Sequence, residues 1–325
     1  MPNLDTTYTN GVIAAREKHL LKDRILRLCE LSAEDAFRLL LESGYGGAES
    51  VTSVYEYEKL IAVEERALDA FIKEYAASDA ERVFLLAPRD FHNAKALVKA
   101  WYLKTDPACM LAPQGLIATD LISAALENGK FERLQEKNAY LATACKKAMA
   151  SLEEQPSGAK VGEIFEQALQ SYLGEQVKKH RTLKKLLAAK ADMINILTAL
   201  RCGDKALAAE KYLPGGDLTA AQLSILFSDD HEKARRAFAN TGYSDFVKMC
   251  FEDKEKGAPM VAAEKYADGY ETMFFAKRKF DLSKSEPFLY YVYRRRTENA
   301  NVRIVFACLL AGQTEHEIKK RLRAF

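Results

Sequence analysis

Apolar residues recur at three- and four-residue spacing along most of the chain, and no run alternates apolar with polar positions for long enough to predict a strand. Glu17 to Cys29 places Leu20, Leu21, Ile25, Leu26 and Leu28 on a helical period. Ser32 to Leu41 follows, with Ser32 as N-cap and Glu34 and Asp35 in the first turn, and stops at Ser43-Gly-Tyr-Gly-Gly47. Ser53 to Ala77 reads as a long helix opened by a Ser53-x-x-Glu56 capping box. Arg82 to Trp101 reads as helix broken at Pro88. A further helix starts near Thr119, residues 155–162 form the clearest central turn, and residues 162–203 form one or two long helices. Leu213-Pro-Gly-Gly216 punctuates, and Thr219-x-x-Gln222 restarts with a capping box. After a charged loop at Asp253 to Pro259, Glu286-Pro287 opens a long helix to about Ala311; Gly312 stops it and Thr314-x-x-Glu317 caps the last one. The expected fold class is all-α.

One pattern recurs at much longer range. Asp90-Phe-His-Asn93, Asp192-Met-Ile-Asn195 and Glu298-Asn-Ala-Asn301 each carry an acid, two residues, an asparagine and then an apolar helical stretch. The asparagines stand 102 and 106 residues apart, close to a third of the chain. The first two copies are followed, in the same register, by Leu111-Ala-Pro-Gln-Gly-Leu and Leu213-Pro-Gly-Gly-Asp-Leu. Ala36 to Tyr45 also resembles Ala234 to Tyr243, both ending in Gly-Tyr. Positions i and i+3 share a helix face, so each acid and amide can bond backbone groups of a neighbouring helix or loop. With Arg303 two residues beyond Asn301, the set reads as a polar clamp tying each long helix to its neighbour. Three related units, 1–117, 118–217 and 218–325, are the simplest division, and a period near 105 residues is too long for a peptide-binding solenoid.

Composition narrows the functions available. The chain is 48% hydrophobic and 29% charged with a net charge of +2, so it has a core to bury and no overall electrostatic case for coating nucleic acid. Its 16 glycines and 8 prolines are too few for a turn-rich β fold. The 6 cysteines stand at least 36 residues apart, which predicts buried free thiols and no Cys-x-x-Cys site. None of the 5 histidines pairs with another ligand at metal spacing; His92, beside a repeat asparagine, is the one of interest. No phosphate loop, GxGxxG or nucleophile elbow occurs. Met1 to Asn10 is polar without a signal-peptide core, and the most apolar stretch, Ile304 to Ala311, is far shorter than the roughly 20 residues of a membrane span. From Glu286 onward, eight basic residues face four acids, and Arg294, Arg295 and Arg296 form a run suited to an acidic partner or to anionic headgroups.

The segment Leu85-Leu-Ala-Pro-Arg-Asp90-Phe-His-Asn93-Ala-Lys-Ala-Leu97 resembles the hallmark of the C subunit of V/A-type ATPases, which is related to the d subunit of the eukaryotic V-type enzymes. Tyr8-Thr-Asn10, Ser43 to Gly47, Leu213 to Gly216 and Glu298 to Arg303 fall in the same order and spacing as in that family. The chain departs from it where Gly11 to Ala14 replace the arginines that usually follow the opening asparagine, leaving Arg16. The resemblance implies a funnel of three similar helical domains in pseudo-threefold arrangement, without cofactor, metal or catalysis. It implies a peripheral place on the cytoplasmic face of a membrane complex, with the shaft subunits D and F and the proteolipid ring as partners. Its implied work is passing torque between shaft and ring during ATP-coupled proton or sodium transport. A generic α-helical scaffold with no role in ion transport is the competing reading.

Overall fold

The computed structural model describes residues 6–21, 23–47, 50–228, 231–255, 257 and 260–323, and among them there is no strand. The chain forms two compact units, Met1–Ala77 with Glu264–Phe325, and Ser78–Ala263. The first unit holds α1 (Thr6–Arg16), α2 (Arg24–Leu28), α3 (Ala33–Glu42) and α4 (Tyr57–Tyr75). The second holds α5 (Asp79–Leu103), α6 (Thr119–Asn128), α7 (Glu132–Lys137), α8 (Ala139–Glu154), α9 (Gly158–Gln176), α10 (Arg181–Arg201), α11 (Lys205–Lys211), α12 (Ala220–Ile225), α13 (His231–Phe238) and α14 (Ser244–Glu255). Helix α15 (Val261–Ala276) leads back to the first unit, which closes with α16 (Glu286–Leu310) and α17 (Glu315–Arg321). The repeat boundaries expected at 117/118 and 217/218 both fall inside the second unit.

Several helix starts follow directly from their capping residues. The Ser32 hydroxyl accepts from Asp35 N–H, and Thr219 and Thr314 form complete capping boxes with Gln222 and Glu317. Gly312 takes φ +69° just past α16. The core of the first unit packs α16, through Val302, Val305 and Phe306, against Ile25, Leu40 and Leu60. Phe71 adds ring contacts to Phe288 and Tyr291, at 5.5 and 5.1 Å between centroids. Arg16, the arginine that remains near the N-terminus, lies over the Phe71 ring. The second unit builds its own core from Phe91 and Val98 of α5, Leu141 and Cys145 of α8, and Val161 and Phe165 of α9.

Four sequence expectations need correction. Glu17 to Cys29 is not one helix: a 3-10 turn at Glu17–His19 ends at Leu20, whose ψ of 140° is extended, and α2 begins only at Arg24. Tertiary bonding overrides the helical period there, because Leu21 N–H is drawn to the Glu298 carboxylate. Ser53 caps a 3-10 turn by accepting from Tyr55 N–H, and Glu56 pairs with Lys59, so no capping box forms. Pro88 does not break its helix, since α5 runs unbroken through it. A proline inside a helix costs about 3 kcal/mol, which burial of Phe84, Leu85, Leu86 and Ala87 before it and Asp90 and Phe91 after it offsets. Four cysteines are buried as expected, but Cys109 is exposed and Cys202 only half-buried. Cys109 sits in a short 3-10 turn after Pro107, none of whose residues is buried. Burial pushes the Cys29 thiol up to about 11 and those of Cys145 and Cys250 up to about 12, which keeps them unreactive. Of the charged loop expected at 253–259, residues 256, 258 and 259 lie outside the described residues, as do residues 1–5 of the polar N-terminus.

Candidate functional site

The repeated acids and amides are among the most deeply buried polar groups of the long helices. Asp90, Asn93, Asp192, Asn195, Glu298 and Asn301 are all at most 4% exposed. A side-chain amide holds an NH2 donor and a carbonyl acceptor side by side in one plane, and these match the C=O and N–H of a single residue. Asn93 uses both on Ala112, donating to its carbonyl at 3.1 Å and accepting from its N–H at 2.8 Å. Asn195 does the same with Leu213 at 3.0 and 2.7 Å, and Asn301 with Arg323 at 3.1 and 2.8 Å. The partners lie 19, 18 and 22 residues downstream. Each is in a loop or chain segment returning past the long helix, not in a neighbouring helix.

The acids, which can only accept, take N–H groups. Asp90 Oδ1 accepts from Leu116 and Ile117, both at 3.0 Å, just ahead of α6. Asp192 accepts from Asp217 at 2.9 Å and Leu218 at 3.0 Å, just ahead of α12. Both copies require a glycine where the loop crosses the carboxylate. A Cβ at Gly115 would lie 2.5 Å from Asp90 Oδ1 and 2.7 Å from the Leu86 carbonyl oxygen, and one at Gly216 would run into Asp192 Oδ1. Burial pushes Asp90 up to about 6 even though its two backbone donors and Arg89 favour the charged form. His92 binds the same first loop through Nε2, 3.1 Å from the Met110 carbonyl oxygen.

The third copy uses a glutamate and a different second partner. Glu298 Oε2 accepts from Leu21 N–H at 2.6 Å, and Oε1 pairs with Arg295. Arg295 also bonds Glu64 at 2.5 Å, and Glu64 accepts from Gly46 N–H at 2.8 Å. This network joins α16, α4 and two turns, with Arg295 7% exposed between two carboxylates that hold it protonated. Arg295 therefore separates from the basic run in which it stands. Arg294 and Arg296 are half-buried at the surface, Arg294 reaching the Tyr290 hydroxyl at 3.4 Å and Arg296 lying over the Tyr293 ring. Arg303 ties α16 to the neighbouring α4 through side chains instead of peptide groups: it forks onto Glu58 at 2.8 and 2.9 Å and approaches Glu65 at 3.5 Å, about half exposed.

Two roles went unread in the sequence. The Gly-Tyr pattern shared by the Ala36 and Ala234 segments supplies a hydroxyl to a clamp helix each time: Tyr45 donates to Asn299 Oδ1 at 2.8 Å and Tyr243 to Asp192 Oδ2 at 2.7 Å. The other is His180, which caps α10 by accepting from Leu183 N–H at Nδ1 and so presents Nε2–H to the buried Glu81, 3.1 Å away. No spacing singles it out, because its partner is 99 residues away. Among the described residues, no three His, Cys, Asp or Glu side chains gather as a metal would need, and no helix is long and apolar enough to cross a membrane.

The clamp's role in folding can be measured at Asn195. In Asn195→Leu the N–H and C=O of Leu213 lose their partners inside the protein, and the expected loss is about 1–3 kcal/mol, the usual cost of leaving buried polar groups unpaired. Urea unfolding reads it directly, and a midpoint equal to the parent's would deny the amide any stabilising part.

Taken together, the fold and these contacts define an all-α protein organised by repeated side-chain clamps on its own backbone. A family model described as the ATP synthase (C/AC39) subunit matches residues 9–321. The chain belongs to that family, the same V/A-type ATPase family that its motifs resemble, and it is thus part of a rotary ATPase. No curated protein matches it.

Proposed function

We propose that the protein is a non-catalytic component of the central stalk that links the shaft, subunits D and F, to the membrane rotor ring on the cytoplasmic side and carries torque between them. The family match across residues 9–321 is the observation that carries this reading. The clamps support it. Buried hydrogen bonds made in pairs by each asparagine resist shear far better than apolar contact alone, which is non-directional. We assign Asp90, Asn93, Asp192, Asn195, Glu298 and Asn301 this structural role, in three related units arranged around a pseudo-threefold axis, and we assign Arg294 and Arg296 to partner contact.

The test is recovery of the tagged chain from gently solubilised native membranes. Shaft subunits and ring proteolipid should come with it in fixed proportion, and the pair R294E/R296E should lower that recovery by about tenfold or more while the melting curve stays put. Recovery of the chain with no ring or shaft protein would remove the adapter role and leave a helical scaffold. Undiminished recovery of the variant would remove the two arginines from the interface.

A further inference from the structure

The connection between α15 and α16 is unlike the other loops. Its residues Lys277-Arg-Lys-Phe-Asp-Leu-Ser-Lys284 hold four basic residues against one acid. Phe280 and Leu282 stand out of it at 82% and 62% exposure, and Phe280 is the most exposed large apolar side chain among the described residues. This is not a slack segment. Asn10 donates to the Leu282 carbonyl at 3.0 Å, Asp281 is held by Ser283 at 2.7 Å and Lys284 at 2.6 Å, and Arg278 lies over the Phe274 ring at 4.0 Å. The Lys279 ammonium sits 5.0 Å from the Phe280 ring centre and 5.3 Å from that of Tyr290. The backbone is thus pinned in a pose that presents two apolar side chains within a basic collar.

From this geometry we infer that the 277–284 loop is a membrane-contact element that docks on an anionic lipid surface, with Phe280 and Leu282 entering the headgroup–acyl boundary and the lysines facing lipid phosphates and carboxylates. A protruding tip fits a fluid, featureless partner. A protein hot spot seats its anchor in a matching pocket, whereas a bilayer accepts apolar side chains anywhere and draws basic residues to its negative face. Lysine stems of this length can also lie along the acyl boundary with the charge in the headgroups. The inference stands on these residues alone and does not require the torque-carrying role.

The test is co-sedimentation of the purified full chain with phosphatidylcholine vesicles, with and without phosphatidylserine. Binding is expected only to the phosphatidylserine vesicles and should fall steeply as added salt shortens the screening length from about 8 Å toward about 3 Å. F280S/L282S should weaken partitioning by about tenfold or more, and K277E/K279E by a similar factor. Phe280, Leu282 and Lys277 are exposed and Lys279 is half-buried, so the melting curve of each variant is compared with the parent's, which separates lost binding from lost fold. As a second reading, F280W should gain fluorescence that brominated lipid quenches, against the fixed background of Trp101. A parent chain that stays in the supernatant with both vesicle types overturns the inference, as do variants that sediment like the parent. Loops altered in this way that bind vesicles normally but lose ring or shaft proteins from a native pull-down would assign the tip to a protein contact instead. Failure of the adapter reading would show only in that pull-down and would leave vesicle binding unchanged.

Discussion

Arg295→Met is expected to destabilise the first unit by about 3–5 kcal/mol, the usual cost of removing one member of a buried ion pair. The loss is large because Arg295 serves two carboxylates. Without it, Glu298 and Glu64 remain facing the same small space, each with a single backbone donor, Leu21 N–H and Gly46 N–H. Burial already raises the Glu298 pKa against the pull of Arg295, so without the guanidinium it would rise further. The added penalty would be present at neutral pH and relieved as the pH falls through that raised value, so the variant's deficit should shrink on acidification. Thermal melting from neutral pH downward measures both effects. A pH-independent deficit would mean that packing, not charge, accounts for the loss. Arg295→Lys should recover only part of the stability, because one ammonium cannot present a planar fork to two carboxylates.

Gly115→Ala should be nearly as damaging, at about 3 kcal/mol, although it adds one methyl to a loop. The backbone conformation at Gly115 is ordinary, so the cost comes from space. The Leu86 carbonyl is part of α5 and cannot move, so the loop must lift away, weakening the N–H bonds from Leu116 and Ile117 to Asp90. Gly203→Ala is the control, since nothing lies within 4 Å of a Cβ there. Equal midpoints for the two variants in urea would dismiss the close approach as the reason for Gly115.

Much of this architecture was legible in the residues, and what escaped did so for physical reasons. Ser32, Thr219 and Thr314 cap as their spacing says because capping is decided within one turn of chain. The clamp residues stand out because three copies share one spacing. The first two held loops recur in the same register, at Leu111 to Leu116 and Leu213 to Leu218, but a contact made through peptide groups carries no side-chain signal beyond the glycine that lets the loop approach, so no pattern pairs Asn301 with Arg323. Arg295 could not be told from Arg294 and Arg296 by adjacency: a step of about 100° per residue turned one arginine inward and left its neighbours at the surface. Leu20 and Leu21 kept a helical period in sequence while a carboxylate 277 residues away pulled the chain straight.

Because each asparagine reads a peptide group, the residue that supplies it is immaterial to the grip: an alanine, a leucine and an arginine serve equally well at Ala112, Leu213 and Arg323. The held segments are thereby released from any shared side-chain vocabulary. The residue at each held point can change, small and apolar at one and charged at another, while the grip on it stays the same. One device thus fastens three segments through different residues, each to a helix of the same unit.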